Sequence, residues 1–198
     1  DVPARRQRLA IRLESETSDM AFSPDGRTLA VARANDLPVL LLDVETGEQR
    51  GQLRGHQSRI PRVAFAPDGR TLATGGADRM IILWDIAALQ QLATLVGHGD
   101  AIDALAFSPD GRTLASVGGG GTLRLWSVFS GRELLSTEAT PDCGWLAFSP
   151  DARTLAGQRG TDPRPAMPGR EDVPRWDESG LVADPDPALI QGDMQTVQ

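Results

Sequence analysis

One nine-residue phrase constrains this chain more than any other feature. Phe-Ser-Pro-Asp-Gly-Arg-Thr-Leu-Ala occupies Phe22–Ala30 and recurs with one change at Phe65–Ala73, unchanged at Phe107–Ala115, and with its glycine replaced at Phe148–Ala156. The leading phenylalanines are 43, 42 and 41 residues apart. Self-similarity at that period predicts one four-stranded antiparallel unit per copy, each unable to bury its apolar surfaces without a neighbour. Modules of this kind usually bind rather than catalyse.

The second copy shows how the unit is built. Ile60–Phe65 is expected to form a short inner strand, and Pro67-Asp68-Gly69 then reverses the chain. Proline presets φ, aspartate caps the turn and glycine accepts positive φ. Arg70–Thr74 gives a second strand, Gly75–Asp78 turns again, Met80–Trp84 gives a β-branched and large-apolar third strand, and Gln90–Leu95 an outer one. A third strand this apolar is expected to be covered on both faces. The fold class predicted is all-β, with four-stranded antiparallel sheets as β-propeller blades, about four in number and hence a partial ring. The limits are near 7–53, 54–95, 96–137 and 138–183, with 184–198 as a tail or linker.

Gly55-His56, Phe65–Ala73, Asp78 and Trp84-Asp85 resemble the WD-repeat β-propeller family, in the near-consensus form of bacterial repeats. The resemblance implies a hydrogen-bonded tetrad inside the blade, here His56, Thr74, Asp78 and Trp84. A buried imidazole needs partners on both nitrogens, and a buried indole N–H needs an acceptor. In the third copy His98, Ser116 and Trp126 hold the matching positions, but Gly120 stands where Asp78 stands, so His98 is expected to lack an orienting carboxylate. The alternative of a hydrolase triad is disfavoured because His56 and His98 lie 42 residues apart at equivalent repeat positions.

The outer copies depart further. The first has Val31 and Leu42 in place of the hydroxyl and the indole and no entrance histidine, so apolar packing alone is expected to hold it. Gln7–Leu13 alternates as an additional strand, which the resemblance makes a candidate clasp for the ring. In the fourth, Ala139 replaces the histidine and Ala152 the turn glycine. Ala152 must then adopt a left-handed conformation or change the turn type, at a cost of about 1 kcal/mol. Val173–Asp177 looks like a third strand, and Phe148 to Trp176 spans 28 residues against 19 from Phe65 to Trp84. The excess falls in Gln158–Asp172, with Arg159, Arg164 and Arg170, and is either a projecting loop or a decayed repeat.

Composition bears mainly on what is excluded. A formal charge of -7 argues against generic binding to nucleic acid, which needs a concentrated basic surface. The basic run Arg5, Arg6, Arg8 and Arg12 is more simply a solvated face or linker. Lysine is absent, which removes a phosphate-loop lysine or a Schiff base. The Gly118–Gly121 run joins two strands and has no following Gly-Lys-Ser/Thr, so a turn explains it better than a phosphate cradle. The single cysteine, Cys143, fits a buried small hydrophobe and fixes no compartment. No apolar stretch is long enough to span a membrane as a helix. No metal site, cofactor or catalytic group is expected.

The function expected is a non-catalytic scaffold or regulatory propeller that binds a protein or peptide on the face bearing the tetrad loops. Arg59, Arg79, Asp100 and Asp103 are the candidate partner-binding residues, each also explicable as a solvated charge. A second class is an appendage of a larger signalling protein such as a bacterial kinase. Four blades at about 50° each cover only roughly 200° of a ring. A fragment of a longer propeller, self-association of two copies and a small closed ring are the ways to resolve this. The start at Asp1 ranks the fragment first.

Overall fold

The computed structural model describes residue 11 and residues 16–34, 38–139 and 143–159. These residues form strands and turns with no helix. The first sheet comprises β1 (Thr17–Phe22), β2 (Thr28–Arg33), β3 (Val39–Asp43) and β4 (Gln49–Leu53). The second comprises β5 (Arg62–Phe65), β6 (Thr71–Gly75), β7 (Met80–Asp85) and β8 (Gln90–Val96). The third comprises β9 (Ile102–Phe107), β10 (Thr113–Gly118), β11 (Thr122–Ser127) and β12 (Glu133–Glu138). A two-stranded fourth pairs β13 (Cys143–Phe148) with β14 (Leu155–Arg159). In every sheet sequence neighbours pair antiparallel, so each is a simple meander.

The repeated phrase builds the first hairpin of each sheet. In the first copy Ser23 Oγ donates to Asp25 Oδ1 at 2.6 Å and accepts from the Thr28 N–H at 2.9 Å, while Asp25 also accepts from Arg27 N–H. The third and fourth copies repeat this with Ser108–Asp110 and Ser149–Asp151. In these three turns the serine hydroxyl, helped by the arginine N–H, holds the aspartate carboxyl below its usual range. Ala66 replaces the serine in the second copy, and Asp68 there accepts from both Arg70 and Thr71 N–H instead. Gly26, Gly69 and Gly111 have φ of 69°, 67° and 72°, and Ala152 takes the same left-handed conformation at 60°. The fourth turn therefore keeps its type and carries the strain of a Cβ.

The sheets stack through their faces. β1 lies against β5, β5 against β9 and β9 against β13, which places the inner strands in sequence around one axis. Ala30, Ala32, Val39 and Leu41 of the first sheet share a buried cluster with Leu72, Ile82 and Trp84 of the second. Ala73, Ile81 and Leu83 meet Leu114 and Trp126 of the third, and Ala115 and Val117 meet Cys143 and Leu146 of the fourth. The side of a sheet that carries its alanines meets the side of the next that carries the larger Leu72, Ile82 and Trp84 or Leu114 and Trp126, so small and large residues alternate across each junction.

Some strand ends differ from expectation. β5 starts at Arg62 rather than Ile60, because Pro61 has no N–H to give a ladder and the Ile60 carbonyl accepts the Ser18 hydroxyl at 2.5 Å. β8 and β12 each run one residue past the expected blade limits, to Val96 and Glu138. The clasp strand (apart from Ile11), the arginine run, residues 160–172 of the fourth-copy loop, the expected strand 173–177 and the tail lie outside the described residues.

Candidate functional site

The loop entering β5 and the β6–β7 turn meet at one end of the second sheet, where Ala77 N–H donates to Arg59 C=O at 2.9 Å. Four side chains join beneath them. Trp84 Nε1 donates to Thr74 Oγ1 at 2.8 Å, and the hydroxyl lies 2.8 Å from His56 Nε2. His56 Nδ1 is 2.9 Å from Asp78 Oδ2, and the carboxylate also accepts from Gln57 and Met80 N–H. A carboxylate accepts, so Nδ1 carries a proton, and the Thr74 hydroxyl accepts from the Trp84 indole while lying between Nε2 and the Ile82 carbonyl. The four groups form one continuous chain. The His56 side chain is 2% exposed and that of Asp78 10%.

The chain depends on close backbone approach. A Cβ on Gly76 would meet both the His56 ring and the Asp78 carboxylate, so a side chain at this position cannot coexist with the network.

In the third sheet the chain is cut short. Trp126 Nε1 donates to Ser116 Oγ at 2.8 Å and Ser116 lies 2.7 Å from His98 Nε2. Gly120 supplies no carboxylate. Instead the carboxylate of Asp100, from the loop entering β9, lies against the space a Gly120 Cβ would fill, and Asp103 Oδ2 lies 3.2 Å from the corresponding point on Gly119. Two of the residues expected to face a partner thus lie over this glycine turn, where they occupy the room vacated by the missing side chains. Of the other two, Arg59 and Arg79 are exposed beside the tetrad, and Arg79 holds a φ of 69°.

Arg124 was not legible as part of this site. It pairs with Ser116 across the ladder, the position held by Ile82 opposite Thr74 in the second sheet. Its guanidinium forms an ion pair with Glu133, and its Nε is buried without a hydrogen-bond partner among the described residues. Burial, with Arg124 adding to it, lowers the His98 pKa to about 4, against smaller opposing effects of Glu133 and Asp100. His98 is therefore neutral at physiological pH and receives a proton poorly.

Two further residues tie neighbouring sheets near this end. Asp19 Oδ2 accepts from Val63 N–H at 2.9 Å, and Arg62 Nε–H donates to the Asp103 carbonyl. Asp19 and Arg62 occupy the same position three residues before the repeat phenylalanine. No group of metal-ligating side chains occurs among the described residues.

A family model described as "WD domain, G-beta repeat" matches residues 47–85 and 89–127, each running from the outer strand of one sheet through the third strand of the next. A curated relative, "Intraflagellar transport protein 122 homolog" of Xenopus tropicalis, is 35% identical over 73 residues, covering 37% of this chain and 6% of that protein. The solved "Structure of U3-55K" superposes with a TM-score of 0.65 at 24% identity, over 69% of this chain and 43% of that one, and speaks to the fold alone. This chain thus spans less than half the length of each. The matches support a WD-repeat family and, with the four-stranded sheets, a propeller-type fold.

Proposed function

We propose that this chain, with two WD repeats side by side, is a non-catalytic interaction scaffold that holds a protein or peptide on the end bearing the tetrad loops. The observation that carries the proposal is the internal closure of the tetrad. Each polar atom of His56, Thr74, Asp78 and Trp84 that could do chemistry is engaged by another member or by backbone, and the histidine is buried. Such a network fixes loop positions and leaves recognition to what those loops expose. Arg59 and Arg79 are the exposed charges we assign to the partner, with Asp100 and Asp103 at the neighbouring turn. Arg79 takes the left-handed conformation that Gly121 takes in the matching turn of the third sheet, so the turn itself fixes where this side chain leaves the backbone. The net charge of -7 argues against nucleic acid, and no helix among the described residues is long and apolar enough to cross a membrane.

The test uses a photo-crosslinking residue placed at 59 or 79, with Phe129, fully exposed in a β11–β12 turn, as the control position. Partner adducts from 59 and 79 that vanish when the other arginine becomes glutamate are expected. Equal yield from 129, or adducts unaffected by the charge reversal, would refute the assignment.

A second reading is favoured by one observation: the matched segment is only 6% of the curated relative. Repeats of this kind can form a small part of a much longer chain. In that case these blades, which we delimit as 7–53, 54–95, 96–137 and 138–183, serve as the recognition appendage of a larger signalling protein, bacterial in type. Deleting the appendage would then alter the targeting of a linked activity and leave its chemistry intact.

A further inference from the structure

The third sheet keeps the frame of the tetrad but leaves one of its positions open. His98 is 8% exposed, and its Nε2 lies 2.7 Å from Ser116 Oγ. Its Nδ1 has no hydrogen-bond partner among the described residues, and a Cβ on Gly118 would stand only 2.9 Å from it. The ring therefore aims Nδ1 at the β10–β11 turn, as His56 aims its own at Gly76 and Asp78. Solvent reaches this atom, since among the described residues the unpartnered side-chain nitrogens sealed from it are Arg33 Nε and Arg124 Nε. Glycines line the approach. A Cβ on Gly99 would meet nothing within 4 Å, and Gly119 and Gly120 offer no side chain.

The border of this opening is acidic. Asp100 Oδ2 lies against the place of a Gly120 Cβ, and Asp103 Oδ2 is 3.2 Å from the same point on Gly119. Asp100 is exposed and makes no hydrogen bond or ion pair with another described residue. Burial holds His98 neutral, so its Nδ1 can present a lone pair to a donor. Arg124, whose charge bears on His98, is paired with Glu133 and lies beside Gly97. A carboxylate entering here would meet two like charges. A metal ion would need a third ligand, and no group of three metal-ligating side chains occurs among the described residues. A guanidinium fits both borders, because its planar fork of N–H donors can serve a ring nitrogen and a carboxylate together.

We infer that the opening between His98, Asp100 and the glycine turn receives a guanidinium group, which donates to His98 Nδ1 and to the Asp100 carboxylate. The tautomer this selects carries its proton on Nε2, toward Ser116 Oγ. The inference rests on the reading that this end of the sheets binds a peptide, and it names what the peptide brings to the third sheet: an arginine. An arginine of a partner and one of this chain outside the described residues offer the same group, and the experiment separates them.

Nitrogen NMR of the whole 198-residue chain with isotope-labelled histidine tests this, with N-acetyl-arginine methylamide as the probe. The chain has two histidines, so His56, closed by Asp78, is the internal control. The expected result is a saturable shift at His98 Nδ1 with His56 unmoved, absent with the apolar N-acetyl-norleucine methylamide and weakened about tenfold by Asp100→Asn. Unchanged His56 signals show that this variant is folded. If the chain supplies the arginine itself, Nδ1 shows the hydrogen-bonded shift before any probe is added, and Asp100→Asn removes it. If a partner supplies it, that shift arises only with the probe. Either pattern supports the site. An Nδ1 signal moved by neither the probe nor Asp100→Asn, binding undiminished by Asp100→Asn, an equal response to the apolar analogue, or a response to acetate instead would overturn the inference. The probe needs no partner, so failure here leaves the adducts expected from positions 59 and 79 untouched, and failure of those adducts leaves this titration untouched.

Discussion

The second and third sheets have the same meander and the same hydroxyl–indole pair, yet they treat their histidines in opposite ways. His56 is held between Thr74 and Asp78, so its ring is oriented from both nitrogens. His98 is held from one side by Ser116, with Arg124 where the second sheet has Ile82 and a glycine where it has an aspartate. The lesson is that the hydroxyl–indole contact suffices to bury a histidine, and the carboxylate decides what its charge can do. Without a nearby anion in hydrogen-bond contact, burial wins and the imidazole stays neutral.

Asp78→Ala makes the second sheet resemble the third and should have the largest effect. It removes the acceptor for His56 Nδ1 and for two backbone N–H groups, a loss of about 3 kcal/mol in unfolding free energy. Denaturant titration reads this, and a loss under about 1 kcal/mol would mean that the carboxylate adds little to what the third sheet has. Next comes pH. A histidine whose folded pKa lies below its usual 6.5 binds its proton first in the unfolded chain. The stability it contributes is therefore whole above about 6.5 and is lost as pH falls toward about 4. Replacing His98 with glutamine should flatten that part of the stability–pH curve, and an unchanged slope would move its origin elsewhere.

A smaller effect is expected from Gly120→Asp, which gives the third sheet the missing carboxylate and displaces that of Asp100. The His98 titration followed by NMR should rise from about 4 toward 6.5; a fall or no change would show that the new carboxylate does not reach the ring. The smallest is Ala152→Gly in the fourth hairpin. Relieving the left-handed alanine should stabilise that hairpin by at most about 1 kcal/mol, seen as slower amide exchange in β13 and β14.

Much of this was legible in the chain. The spacing of the phrase predicted four-stranded antiparallel sheets in chain order, and Pro-Asp-Gly marked the first turn of three copies with Pro-Asp-Ala in the fourth, since turn chemistry is local and carried by consecutive residues. The residues at 56, 74, 78 and 84 could be nominated because the repeats align them. Asp19 and Arg62 could not, because their partners lie 44 and 41 residues away on another sheet, and neither residue type recurs at its position in other copies. Arg124 likewise could not be nominated, since nothing in its neighbours along the chain marks it. Its approach to Gly97 and its ion pair with Glu133 are set by the folded sheet and not by residues beside it in sequence. Asp100 was nominated for its charge, and the structure adds that this carboxylate fills the space left by Gly120.

Sequence by itself determined the period, the turns and the alternation that makes each strand two-faced, because these depend on neighbours a few residues apart. The tertiary structure alone decided which faces meet, that His98 is buried beside a guanidinium, and that Met20, Phe22 and Trp145 are more than half exposed. Those outcomes rest on contacts between residues about one repeat apart or more, where solvent exclusion and dielectric are set by the neighbouring sheet and not by the chain's local order.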